Sequence, residues 1–195
     1  MINIKKTKSI LFLGYDSTQT ILLKKLRESN FNVKQTSKKI NELGGYDLII
    51  SFGYKHILSK DAIKTSDCEI INLHISYLPW NRGSHPNFWS FYDKTISGVT
   101  IHLLNEGIDK GDILYQKKLN FNSKKYTFFE TYKILINEIE LLLLSKIESI
   151  LNKTYISLPQ IGEGTFHSKK DLPKDFSGWH SNIYDEIKKL KKNKN

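Results

Sequence analysis

Hydrophobic positions along the chain fall into two alternating patterns, short apolar runs and longer stretches of helical period. Ser9-Ile10-Leu11-Phe12-Leu13 is a continuous apolar run ending at Gly14, as in a strand buried on both faces. Asp16-Ser17-Thr18 can then cap a helix whose apolar face is Ile21, Leu22, Leu23 and Leu26, closing near Asn30. Residues 31–33 predict a second strand, and residues 46–51 a third after the breaker pair Gly44-Gly45. A short helix over 59–63 and a fourth strand over 69–73 follow. Pro79, Asn81, Gly83 and Pro86 mark residues 76–86 as loop, before an aromatic helix over 87–92 and two more strands, 99–104 and 113–119. Residues 127–151 give the longest helical pattern, with Phe128, Tyr132, Leu135, Ile139, Leu142, Leu143, Ile147 and Ile150 at helical spacing, which reads as core. After Pro159 the chain turns polar and glycine-rich, and a last helix is expected over 184–190.

Strands alternating with helices, and too apolar to face water, predict an α/β fold: a Rossmann-like, mostly parallel sheet with helices on both faces, plus a short C-terminal appendage. A length of 195 residues fits one domain, with a catalytic domain expected over 1–155 and an extension over 156–195. Ligands bind such sheets at the carboxyl ends of strands, which selects the segments after Ser51, Leu73 and Leu104.

Composition narrows the classes of function. Hydrophobic residues at 39% suit a globular core rather than a disordered chain. The formal net charge of +10 would favour phosphorylated ligands. The lysines are nevertheless scattered, the run over 188–194 reads as a solvated tail, and no zinc knuckle, helix-turn-helix or RNA-reading motif accompanies them, so nucleic acid is not expected. The N-terminus lacks the long apolar region of a secretory signal, and Leu141 to Leu144 are flanked by Glu138, Glu140 and Lys146, too short and too charged to span a bilayer. A cytoplasmic protein without membrane partners is expected. The single cysteine, Cys68, excludes an intrachain disulfide and a multi-cysteine zinc site, and reads as a buried small hydrophobe.

Candidate chemistry sits at the strand ends. Asn72 and His74 have the period-two spacing that puts both side chains on one side of an extended chain. Asp109, in the loop Glu106-Gly107-Ile108-Asp109-Lys110-Gly111-Asp112 after a later strand, can accept a hydrogen bond from an imidazole. The runs Asn72-Leu73-His74-Ile75-Ser76-Tyr77-Leu78-Pro79-Trp80-Asn81-Arg82-Gly83, Gly98-Val99-Thr100-Ile101-His102 and Ile108-Asp109-Lys110-Gly111-Asp112-Ile113 together resemble the folate-dependent formyltransferases. The resemblance covers residues 9–150, with a looser match over 164–171. It implies a catalytic trio of Asn72, His74 and Asp109, 10-formyltetrahydrofolate as formyl donor, and chemistry without a metal. It also implies folate contacts from His56, Ile57 and Leu58 and from the loop Asn105, Glu106 to Asp109, although Ile57 and Leu58 equally suit ordinary core. Asn72 and protonated His74 would donate to the oxyanion formed when an amine attacks the formyl carbon, with Asp109 orienting His74. His102 reads as a buried, hydrogen-bonded residue, His85 as either a substrate contact or solvent-facing, and His167 and His180 as surface residues.

The acceptor is read by comparison of branches. Methionyl-tRNA formyltransferases carry a further C-terminal tRNA-binding barrel, for which this chain is expected to be too short, and formyltetrahydrofolate hydrolases carry an N-terminal regulatory domain. Glycinamide-ribonucleotide formyltransferases carry a glycine-rich phosphate loop where this chain has Gly14-Tyr15-Asp16-Ser17-Thr18. The best resemblance is to stand-alone bacterial sugar N-formyltransferases, which implies a nucleotide-linked amino sugar as small-molecule partner; the sequence leaves the assembly open between a monomer and a homodimer. Tyr77 and Trp80 would then stack on base or sugar, Arg82 would pair a pyrophosphate, and Trp89 suits core packing at least as well. Glycinamide ribonucleotide and a noncatalytic folate- or nucleotide-binding module stand as alternatives.

Overall fold

The apolar runs assemble into a six-stranded sheet in the computed structural model, which describes residues 7–193. Strands β1 (Ser9–Gly14), β2 (Asn32–Thr36), β3 (Leu48–Phe52) and β4 (Ile70–His74) are parallel. A two-residue strand β5 (Arg82–Gly83) follows, and β6 (Ser97–Leu103) and β7 (Ile113–Leu119) then extend the sheet antiparallel, giving the order β2-β1-β3-β4-β6-β7.

Burial on both faces accounts for the unbroken apolar runs. Ile10 and Phe12 pack with α1 (Leu22–Glu28) and α4 (Phe128–Leu151), whereas Leu11 and Leu13 pack on the opposite face with Leu43, Leu58 and Ala62 of α2 (Lys60–Lys64). Each such buried side chain contributes roughly 1.5–3 kcal/mol relative to exposure. The α4 helix starts where expected, because Thr127 and Glu130 form a reciprocal capping box.

Other boundaries differ from expectation. Asp16 does not cap α1; its carboxylate closes a local turn onto Thr18, and the helix begins at Leu22. The α1 start is instead held by Glu140 of α4, buried and accepting from the Thr20 hydroxyl and the Ile21 amide. The second strand runs over Asn32–Thr36 rather than 31–33, because Asn30 turns the chain at φ 64°. Cys68 is half-buried beside Ser66 rather than buried.

The C-terminal segment is built into the rest. Its strand β8 (Phe166–His167) pairs parallel with β5, and α5 (Ile183–Lys192) lays Ile183 and Leu190 against Phe88 and Trp89 of α3 (Pro86–Tyr92) and Phe128 of α4. Among the described residues, no helix is long and apolar enough to cross a membrane.

Candidate active site

The end of β4 and its antiparallel neighbour β6 bring four polar side chains together. Asn72 and His74 project to the same side of β4, and the strand register sets His102 directly opposite Asn72, with Asn72 Nδ2 3.1 Å from His102 Nε2. Asp109, in the connection between β6 and β7, reaches back into this cluster. Its Oδ1 accepts from Asn72 Nδ2 at 3.2 Å, and its Oδ2 accepts from the Gly83 backbone N–H at 2.8 Å. His74 Nδ1 lies 3.7 Å from Asp109 Oδ2, and His102 Nε2 lies 3.6 Å from Asp109 Oδ1. The expected trio is thus brought together, with His74 and Asp109 at ion-pair distance rather than in a direct hydrogen bond. His102 is buried and hydrogen-bonded as expected, and it belongs to the same cluster.

Carbonyl partners fix how the imidazoles carry their protons. His74 Nε2 is 3.0 Å from the Asn81 carbonyl, which can only accept, so Nε2 donates and Nδ1 is the nitrogen turned towards Asp109. His102 Nδ1 donates to the Leu103 carbonyl at 2.8 Å, leaving Nε2 to accept from Asn72 when the ring is neutral. Both Asn72 amide hydrogens are therefore engaged, one by His102 and one by Asp109. Burial of Asp109 opposes its charged form, but the neighbouring His74 and His102 and the Gly83 amide outweigh that cost. They hold the carboxyl well below the usual carboxylate range.

His74 faces a cavity of about 600 Å³. One wall carries Tyr15 and Tyr132, whose hydroxyls hydrogen-bond at 2.9 Å; burial and that bond push the Tyr132 phenol upward, so it stays neutral. The rim is aromatic and open, with Phe129 39% and Trp179 38% exposed, and His180 against Phe129. His85 also lines the cavity beside Trp179, and burial, aided by Lys169, moves its imidazole below its ordinary value.

The remaining sequence candidates lie away from this cavity. His56 and Ile57 are exposed and Leu58 is core, in the connection after β3; Asn105 and Glu106 are exposed in the connection after β6. Lys60 and Lys64 bridge the two connections by pairing with Glu106. Tyr77 packs against Gly98, Trp80 is half-buried, and neither lines the cavity. The Arg82 guanidinium is turned to the C-terminal segment, donating to Gln160 Oε1 and to the Glu163 carbonyl. Trp89 is core. His167, expected at the surface, is instead stacked flat on Trp89 at 3.7 Å between centroids and paired with Asp93. His180 is exposed as expected, though on the cavity rim. Reading the sequence passed over Tyr15, Tyr132, Phe129, Trp179 and Gln160. For Gln160 no local signal existed, since its partner Asp109 is 51 positions away.

The model of the formyl transferase family matches residues 12–142. The methionyl-tRNA formyltransferase of Thermodesulfovibrio yellowstonii is 31% identical over 150 residues, 75% of this chain and 46% of that protein. The dTDP-4-amino-4,6-dideoxyglucose formyltransferase of Mycobacterium tuberculosis is 30% identical over 127 residues, 65% of this chain and 53% of that protein. This chain spans about half or less of the length of the curated relatives it matches. Among solved structures, the formyltransferase PseJ from Anoxybacillus kamchatkensis, in complex with UDP-4,6-dideoxy-4-formamido-L-AltNAc and tetrahydrofolate, superposes with a TM-score of 0.84. It is 34% identical, and the match covers 93% of this chain and 99% of that one.

Proposed function

This chain belongs to the formyl transferase family, and from that premise we propose that it moves the formyl group of 10-formyltetrahydrofolate onto the amino group of a nucleotide-linked amino sugar. The observation that carries the reading is the Asp109–His74–Asn72–His102 cluster, whose His74 lines a cavity with an exposed aromatic rim. Trp179, Phe129 and His180 offer flat faces for a nucleobase, and the Tyr15 and Tyr132 hydroxyls suit a sugar. The folate side is assigned to the connections holding His56, Ile57, Leu58, Asn105 and Glu106, which follow β3 and β6. PseJ, bound to a UDP-linked formamido sugar and tetrahydrofolate, is similar over nearly its whole length, which supports the same pair of substrates here.

Formylfolate supplies an activated formyl carbon. His74 then acts through Nδ1: neutral, it accepts the proton that the attacking amine gives up, and protonated, it donates towards the developing oxyanion. Asp109 stabilises the imidazolium through charge. Asn72 and His102 hold the Asp109 carboxylate in place, and Asn72 reaches an oxyanion by releasing one of its two present acceptors. As the new carbon–nitrogen bond forms, the bond from the formyl carbon to the folate nitrogen breaks, and the proton passes to that nitrogen.

Incubation with 10-formyltetrahydrofolate and a panel of amino-sugar nucleotides should give one product heavier by a formyl group. Methionyl-tRNA and glycinamide ribonucleotide serve as further arms. Transfer to either of those alone would overturn the sugar acceptor, and transfer to none of the panel would overturn formyl transfer to small amines.

A further inference from the structure

The Asp109 carboxylate accepts from Asn72 of β4 and from the Gly83 amide of β5, and one side chain of the C-terminal segment ties the turn that carries Asp109 to β5. Gln160 Nε2 donates to the Asp109 carbonyl and to the Gly111 carbonyl, each at 2.8 Å. Its Oε1 accepts from Arg82 Nε at 3.0 Å and from Arg82 Nη2 at 2.7 Å. All the usual donor and acceptor positions of this amide are used. Arg82 in turn donates to the Glu163 carbonyl.

Both ends of the bridge bear on Asp109. On one side, Asp109 has a left-handed backbone, φ 52°, which Asp tolerates better than most residues but which its neighbours must still accommodate. Two residues on, Gly111 sits so close to β6 that a Cβ there would lie 1.6 Å from the Leu103 carbonyl. The turn is thus both pressed against the strand and gripped by Gln160. At the far end, Arg82 neighbours Gly83, whose N–H holds Asp109 Oδ2. Gln160 therefore fixes the backbone that carries the carboxylate and also the strand that donates to it.

We propose that Gln160 is a positioning residue: it sets the Asp109 carboxylate against His74, and Arg82 is its brace rather than a ligand for the acceptor. Gln160 does not line the cavity, so it acts through Asp109. This assignment rests on the role given to Asp109 above, and it makes the segment around residue 160 part of the catalytic apparatus.

Gln160→Glu tests it, because the shape and the Arg82 contact survive while both donors to the turn are lost. The shorter, neutral Gln160→Asn is measured alongside in case the charged variant fails to fold. Each should lower kcat about tenfold or more while KM for folate and acceptor stays within about twofold. In an Asp109→Asn background the same change should have little further effect, since the two residues act as one unit. Wild-type kcat in a folded variant, or an equal loss in both backgrounds, would overturn the proposal. Amide hydrogen exchange gives a readout independent of turnover: residues 109–112 should exchange faster in the variants than in the wild type. Unchanged exchange there would overturn the proposal even if formyl transfer is established, whereas faster exchange with a wild type that formylates none of the amines offered would overturn the role given to Asp109 and leave only the grip of Gln160 on the turn.

Discussion

At the residue scale, what decides the chemistry is which lone pairs and protons are left over once the internal hydrogen bonds are made. The Asn81 and Leu103 carbonyls each take one imidazole proton, so the nitrogens that remain, His74 Nδ1 and His102 Nε2, both face the Asp109 end of the cluster. Asn72 supplies both amide hydrogens to the same cluster, and its loss would free His102 and release one oxygen of the carboxylate. Asn72→Ala should therefore lower kcat by roughly a hundredfold, the cost of losing a preorganised donor in a dry site. Folate binding, followed by fluorescence quenching, should persist; a variant of normal turnover would show that Asn72 is only a spacer. Period-two spacing puts Asn72 and His74 on one side of a strand, but the pair stands out in the sequence only in company with Asp109 and the runs around it. Arg82 suits a pyrophosphate by residue type and by its place in the loop beyond β4. Nothing local announced Gln160, whose amide satisfies the guanidinium instead.

Elements buried on both faces were the most legible, because a strand such as Leu48–Phe52 has no polar side to break its run. Boundaries set by distant groups were not. The start of α1 depends on Glu140, and the two-residue strands β5 and β8 are too short to leave a pattern. The edge between β1 and β3 is fixed by a charge that sequence alone does not locate: Asp47 accepts from Lys8 Nζ at 2.8 Å and from the Ser9 amide and hydroxyl. These bonds, the Lys8 one foremost, lower the Asp47 carboxyl from 3.8 to about 2. A depressed carboxylate stabilises the folded state above its unfolded value, and the effect is lost as the pH falls through the folded one. The melting temperature of wild type should thus exceed that of Asp47→Asn above pH 3.8, with the gap closing as the pH falls through about 2. A gap unchanged down to the lowest pH at which the protein folds would contradict this tie.

At the scale of the whole molecule, the sheet supplies the strand ends that carry the candidate trio, and the C-terminal segment supplies Trp179 and His180 to the cavity beside them. At the aromatic rim the Trp179 carbonyl accepts from the Phe129 amide, and Trp179 packs on Phe128 and Phe176, which together hold the segment before α5 over the start of α4. Trp179 lies in a polar, glycine-bearing stretch that reads as loop, so its place over the cavity was not legible. We treat residues 156–195 as an integral part of the catalytic unit on this account. The central claim, that His74 performs formyl transfer with Asp109 behind it, is tested most directly by steady-state release of tetrahydrofolate from His74→Ala at saturating donor and amino-sugar nucleotide, with both dissociation constants measured in parallel. The prediction is a fall in kcat of about a hundredfold or more with binding of both substrates retained. Turnover close to that of the wild type, in a variant that folds and binds normally, would contradict it.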